Sequence, residues 1–334
     1  MGETSAKHAQ LLAAHAHYLI ATAGRAASVH NSQPWRFRLA KDTVELWSDP
    51  ARKVSSDAVG REMLISCGAA LYGLRLAIRS LGYQPVVSLL PDTAQLRFLA
   101  RVAVGDSMPM NALEHRLLAA VPHRHTHRGP FDPGPLPAGL LAGLQDDALK
   151  EGAELALVAD GLPMARLTQL TAAAARRGDA DPAARSAVEQ WTRDTGSAQR
   201  DGVPASALVE ADTPAAQPGV QPGRLPQRDF DLGRGIGTLH SGGAPAAATA
   251  ILLTHGDRRA DWLHAGQALQ RLLLHAASGW VFASLYTQPL ENAITRELIR
   301  EQLSLPGHPQ IVLQFGRATT SHATARRNAD ELID

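Results

Sequence analysis

Ala27-Ser28-Val29-His30-Asn31-Ser32-Gln33-Pro34-Trp35-Arg36-Phe37, and further along His123-Arg124-His125-Thr126-His127-Arg128, are the two stretches on which the reading of this sequence turns. In the second, alternate residues of an extended chain share a face, so Arg124, Thr126 and Arg128 point one way. Two guanidiniums and a hydroxyl suit a phosphate ester: Arg supplies paired charged hydrogen bonds and Thr a neutral one. Each charged hydrogen bond contributes about 1.5–3 kcal/mol, enough to anchor an anion without a global positive charge. His123, His125 and His127 occupy the opposite face. With no Cys or carboxylate to complete a site, a metal is the weaker reading there, and a solvated basic loop is the plain alternative. In the first stretch Pro34 biases the chain before it toward extended geometry. Asn31 and Gln33 alternate in it and offer amides that read the donor and acceptor edge of a heterocycle. Trp35 and Phe37 read as core.

Outward from these stretches the pattern is mixed helix and strand. Helices are predicted at 7–25, 60–80, 112–120, 136–145, 163–176, 182–191, 261–278 and 291–303. Strands are predicted at 44–47, 85–90, 96–104, 154–158, 251–254, 280–285 and 310–315. Gly68-Ala69-Ala70-Leu71-Tyr72-Gly73-Leu74-Arg75-Leu76-Ala77 is echoed by Gly266-Gln267-Ala268-Leu269-Gln270-Arg271-Leu272-Leu273-Leu274-His275-Ala276. Each lies in a helix leading to a strand and then a polar segment, which predicts two related halves, 1–110 and 111–334. Residues 202–245 hold six Pro and eight Gly without periodicity and read as a long loop, either a lid or a surface excursion. Gly233-Arg234-Gly235-Ile236-Gly237 within it lacks the preceding strand and following helix of a dinucleotide loop.

The 334 residues carry 33 basic and 32 acidic side chains, a net charge of +1, and 45% are hydrophobic. That balance gives no footprint for nucleic acid or an anionic membrane, and no run approaches the ~20 apolar residues of a span. The single cysteine, Cys67, excludes an intrachain disulfide and sits in an apolar run as a buried thiol. A reducing, cytoplasmic setting is expected.

Together the two stretches resemble the nitroreductase family of FMN oxidoreductases. Asn31-Ser32-Gln33-Pro34-Trp35 is similar to the family's Asn-x-Gln-Pro-Trp motif, and Arg124-His125-Thr126-His127-Arg128 to its Arg-x-Ser-x-Arg/Lys motif with Thr for Ser. In ordinary members the basic motif comes first, both lie in one domain, and two identical subunits build each site. Here the order is reversed and the motifs fall in different halves. That resembles the Acg-like subfamily, as do Gly60-Arg61-Glu62-Met63-Leu64-Ile65-Ser66-Cys67-Gly68-Ala69-Ala70-Leu71, Thr287-Gln288-Pro289-Leu290-Glu291 and Phe315-Gly316-Arg317.

The resemblance implies an α+β nitroreductase-like fold, an internal pseudo-dimer with one FMN site and a lid at 202–245. It implies that Arg124, Thr126 and Arg128 bind the FMN phosphate and ribityl chain and that Arg326 or Arg327 completes the phosphate site. Ser28, Val29 and Asn31 would touch the flavin from the opposite half. Thr287, Gln288 and Pro289 would approach its pyrimidine edge and N5. Ala27 departs from the family's usual proline. The activity implied is NAD(P)H-dependent, ping-pong reduction of a nitroaromatic, quinone or related small acceptor through flavin N5. No side chain is needed as a covalent catalyst and no metal takes part. The alternatives are a protein that sequesters FMN beneath an occluding lid and a dehydrogenase acting on one metabolite. The fused chain would be a monomer or a homodimer.

Overall fold

The computed structural model describes residues 2–129, 131–194, 196–208, 225–234, 246–318 and 324–334. The chain opens with α1 (Gly2–Gly24), then β1 (Trp35–Ala40), β2 (Thr43–Ser48), α2 (Arg61–Ser80), β3 (Tyr83–Leu89) and β4 (Phe98–Ser107). α3 (Ala112–Ala120) leads to α4 (Leu140–Lys150) and β5 (Glu154–Leu157). α5 (Leu162–Ala180), α6 (Pro182–Gln190) and the two-residue strands β6 (Thr192–Arg193) and β7 (Val203–Pro204) follow. The chain then runs through β8 (Ala248–Thr254), α7 (Arg259–Ser278), β9 (Val281–Tyr286), α8 (Gln288–Glu291), α9 (Ala293–Gln302) and β10 (His308–Arg317). This is an α+β architecture.

Its two four-stranded sheets have one topology. The first runs β1-β2-β4-β3 and the second β5-β8-β10-β9, and every neighbouring pair is antiparallel. In each, a long helix follows the second strand: α2 after β2, α7 after β8. β1 and β2 are joined by Lys41-Asp42 alone, whereas residues 158–247 separate β5 from β8.

α2 and α7 pack against each other because glycine lets their backbones touch. A Cβ on Gly68 would lie 2.3 Å from the Leu263 carbonyl oxygen, and one on Gly266 would lie 1.9 Å from that of Ile65. Side chains cross the interface both ways. Leu263 of α7 is buried in the core under the first sheet with Trp35, Phe37 and Leu71. Ile65 of α2 is buried in the core under the second with Leu269, Leu313 and Phe315.

The C-terminal tail returns to the first sheet. The Phe37 amide donates to the Leu332 carbonyl at 2.7 Å, and the Asp334 amide donates to the Phe37 carbonyl at 2.8 Å. The tail thereby covers the free edge of β1, which an exposed sheet edge requires.

Element boundaries differ from expectation in two instructive places. The helix expected from 136 begins at Leu140, after Pro137 and a left-handed Gly139 at φ 74°. The segment before Pro34 is not extended: His30, Asn31 and Gln33 all have positive φ, at 48°, 55° and 50°. Tertiary hydrogen bonds, described next, hold it there against a local cost of about 1–3 kcal/mol per residue. Of the expected lid, residues 209–224 and 235–245 lie outside the described residues, as does most of the 233–237 glycine run.

Candidate functional site

A cavity with about 900 Å³ of empty space, part of it open to solvent, is lined by residues of both sequence halves. Ser28 and Val29, just after α1, line one side. Thr126 and Arg128 line another, and Thr287, Gln288 and Pro289, at the start of α8, a third. Arg124, Asn31, Arg326 and Arg327 do not line it, and their placements differ.

The basic segment is fastened to the outer edge of β9. The His127 amide donates to the Ala283 carbonyl at 2.9 Å, and Ser284 Oγ donates to the His127 carbonyl at 2.9 Å. The three histidines are not the solvated face that the alternation suggested. His123 stacks on Trp280, His125 tilts against Phe282 at 4.3 Å and His127 stacks on Phe131 at 4.8 Å. Arg124, His125 and His127 are buried, so the solvated-loop reading is set aside.

Arg124 lies among other cations. Its Nη2 donates to the Arg25 carbonyl at 3.3 Å, while Nε and Nη1 have no partner among the described residues. Arg326, from the C-terminal tail, donates to the Thr324, Ala325 and Ala26 carbonyls, and its Nε is likewise unpartnered. Burial lowers the Arg124 guanidinium to about 10, and Arg25 and Arg128 push the same way. Burial alone lowers Arg128 to about 10. Arg326 is held well below its ordinary value by burial, then by Arg124, Arg25 and Arg128. Among the described residues no carboxylate offsets these charges. Buried cations without counter-charge are costly; a bound anion relieves them.

Arg327 faces elsewhere. Its amide donates to Gln33 Oε1 at 2.9 Å, and its Nη2 donates to the Glu331 carbonyl at 2.6 Å. Asn31 Nδ2 donates to the Gly202 and Ala325 carbonyls at 3.0 and 3.1 Å, and Gln33 Nε2 to the Arg200 carbonyl at 2.8 Å. These two amides therefore strap the tail and the 200–202 segment to the first half. Only Asn31 Oδ1 is left over.

Among the cavity residues not singled out from the sequence are His30, Glu62, Arg228 and Phe230. Burial, then Arg228 and Arg128, holds the His30 imidazole well below its ordinary value, so it is neutral. Its ring meets Phe230 edge-on at 5.3 Å, and the Arg128 guanidinium lies 5.8 Å from the same ring. Arg228 pairs with Glu291 of α8. The Glu62 carboxylate is buried, with neither oxygen hydrogen-bonded among the described residues and Arg61 Nη2 3.6 Å from one of them. Burial first, then the neighbouring Glu291, raises its pKa to about 8. His30 and Glu62 lie inside motifs the sequence had already marked, but nothing local reveals that they are buried.

No family model matches the chain. A protein of Mycobacterium tuberculosis strain H37Rv with the provisional name NAD(P)H nitroreductase Rv3131 is 33% identical over 325 residues, covering 95% of this chain and 90% of its own. The uncharacterised protein Rv3127 of the same strain is 30% identical over 320 residues, covering 92% and 90%. The provisionally named NAD(P)H nitroreductase acg is 28% identical over 319 residues, covering 92% of each. Among solved structures, a nitroreductase with bound FMN from Desulfitobacterium hafniense is 12% identical with a TM-score of 0.38, covering 66% of this chain and 97% of that one. A protein from Anabaena variabilis, provisionally named a nitroreductase, is 12% identical with a TM-score of 0.44, covering 82% and 69%. The identity to Rv3131 along nearly the whole length makes this chain a member of the nitroreductase family.

Proposed function

We propose that the chain binds one FMN between its two halves and uses it to pass electrons from NAD(P)H to a small acceptor such as a nitroaromatic or a quinone. The observation that carries this is the group of Arg25, Arg124, Arg128 and Arg326, gathered without an offsetting carboxylate among the described residues, with Arg128 in the wall of the cavity. A phosphate ester suits the unpartnered Arg124 Nε and Nη1 and Arg326 Nε. The Thr126 hydroxyl adds a neutral hydrogen bond. Val29, Ile65, Leu269 and Ile311 supply apolar walls for a flat ring, and Thr287 to Pro289 supply polar backbone at its rim. FMN, when bound, supplies the redox chemistry. The chain's own residues bind it, orient it and exclude water. This reading treats the two sheets of equal topology as a pseudo-dimer folded from one chain.

A second reading has its own observation. Pro226, Gln227, Arg228 and Phe230 form part of the cavity wall, with Phe230 against both His30 and Arg128 and Arg228 tied to Glu291. A segment so seated occludes as readily as it gates, which favours a protein that holds FMN rather than using it.

The deciding experiment is an anaerobic titration of the purified protein with NADH and NADPH, followed by flavin absorbance. Bleaching supports the oxidoreductase. A yellow protein that neither nucleotide bleaches supports sequestration. A colourless protein that FMN cannot turn yellow overturns both.

A further inference from the structure

We propose that Glu62 selects the acceptor, donating a hydrogen bond from its carboxyl to a carbonyl or nitro oxygen of an uncharged molecule in the cavity. The inference rests on the flavin reading above and adds the residue that selects the acceptor.

Glu62 stands in the first turn of α2, directly after Gly60, whose φ of 77° turns the chain into the helix. Its side chain lines the cavity and is 3% exposed. The charged groups that face it from each neighbouring element are already committed. Arg61 donates to the Gln310 carbonyl at 2.9 Å, to Gln310 Oε1 at 3.0 Å and to the Leu290 carbonyl at 3.3 Å, and comes no nearer Glu62 than 3.6 Å. Asp57 Oδ2 accepts from the Met63 amide at 2.9 Å. Glu291 of α8 is paired with Arg228 from the 225–234 segment. The remaining titratable groups of the wall are His30, His127, Arg128 and Tyr286. Glu62 alone in this group has two buried oxygens without a hydrogen bond among the described residues, Arg61 standing 3.6 Å from one of them, and its side chain lines the cavity.

A buried carboxyl that no cation hydrogen-bonds, next to two other acids, retains its proton, because burial and Glu291 outweigh the pull of Arg61. Glu291 has a guanidinium beside it and Glu62 has none at hydrogen-bond distance, so of the two the negative charge settles on Glu291. Burial, reinforced by Glu291, raises Glu62 as described, so it is neutral at neutral pH and ionises as pH passes about 8. The neutral form has an O–H to donate; the ionised form only accepts. The cavity therefore welcomes an acceptor oxygen below that pH and repels it above. Above that pH a carboxylate placed against the ionised Glu62 is repelled as well.

The test uses the FMN-loaded protein in its oxidised form, with no electron donor present. Wild type and Glu62→Gln are titrated with 2-methyl-1,4-naphthoquinone and with 4-nitrobenzoate at about pH 6 and about pH 10, either side of the raised carboxyl, following the shift of the flavin band. Wild type is expected to bind the quinone about tenfold more weakly at the higher pH, the equivalent of one neutral hydrogen bond. Glu62→Gln, whose amide donates but never ionises, is expected to bind it equally at both and to lose the wild type's extra discrimination against 4-nitrobenzoate at high pH. The same pH dependence in both proteins overturns the assignment. Infrared spectra of flavin-free protein give an independent readout. A protonated-carboxyl stretch at about pH 6 that vanishes in Glu62→Gln supports the proposal, and its absence from wild type overturns it. A protein that never takes up FMN fails differently, by overturning the flavin reading itself.

Discussion

Gly68 of α2 and Gly266 of α7 meet at the crossing of the two helices, each facing the carbonyl three residues before the other: Leu263 for Gly68, Ile65 for Gly266. The obstructing atoms are backbone, so no rotamer change makes room for a methyl group. Gly266→Ala and Gly68→Ala are each expected to destabilise the chain by at least the ~1–3 kcal/mol of overpacking. Because α2 and α7 also carry Glu62, Ile65 and Leu269 of the cavity wall, flavin retention should fall with stability. Thermal melts and the ratio of flavin to protein absorbance after gel filtration check this. An unchanged melting temperature would remove the close crossing from the description.

Arg124→Ala combined with Arg128→Ala should strip the flavin. At about 1.5–3 kcal/mol per charged hydrogen bond, losing two weakens binding by roughly a hundredfold to ten-thousandfold. Equilibrium dialysis against FMN reads this directly. Riboflavin, which lacks the phosphate, should bind wild type and the double variant alike. If the variant retained FMN at wild-type affinity, the anion site would have to be placed elsewhere.

Phe230→Ala separates the two functional readings. The ring sits against His30 and Arg128 in the cavity wall. If it occludes the site, its removal should speed flavin reduction by NADPH in an anaerobic stopped-flow measurement. An unchanged rate in a variant that still holds FMN would mean that this side chain does not gate access.

Acid stability should depend on Asp147. This buried carboxylate receives Arg271 Nε at 2.8 Å and His275 Nδ1 at 2.6 Å, linking α4 to α7. Burial pushes its pKa up, but the His275 and Arg271 contacts outweigh burial and hold it below the ordinary 3.8. A depressed carboxylate contributes stability that is full above the unfolded pKa and is lost as pH falls through the folded one. Asp147→Asn should therefore cost about 3–5 kcal/mol at neutral pH, as breaking a buried pair does. The gap from wild type should narrow below about pH 4. Urea melts of both proteins across that range check the sign.

Cys67 should be silent in the folded protein. Its Sγ donates to the Pro34 carbonyl at 3.2 Å, and burial pushes the thiol well above its ordinary value. A chromogenic disulfide reagent should react only at the rate of unfolding. A fast stoichiometric reaction under native conditions would contradict the buried placement.

The sequence made the α+β architecture, the long helices and the two motifs legible because each rests on local pattern. The glycine echo between 68 and 266 was visible as similarity, but not as contact, since no periodicity states which helices touch. The basic segment announced itself through Arg124 and Arg128, yet its histidines read as solvated because their aromatic partners Trp280, Phe282 and Phe131 lie elsewhere in the chain. Asn31 and Gln33 read as ligand-facing amides in an extended segment. Their use as straps depends on the Arg200 and Ala325 carbonyls, which are remote in sequence. Glu62 is the sharpest omission. An acid in the first turn of a helix is ordinary by every local rule, and only the packing of α8 and the 225–234 segment turns it into an isolated carboxyl.

Two sheets of equal topology on a single chain also change how such a site responds to mutation. In an assembly of identical subunits every substitution appears twice, at both symmetric positions, and must be tolerable at both. Here a change near Arg124 has no counterpart near Asn31, and a change in the 225–234 segment alters one side only. Selection can therefore tune this cavity without imposing the same change on a symmetric copy of it.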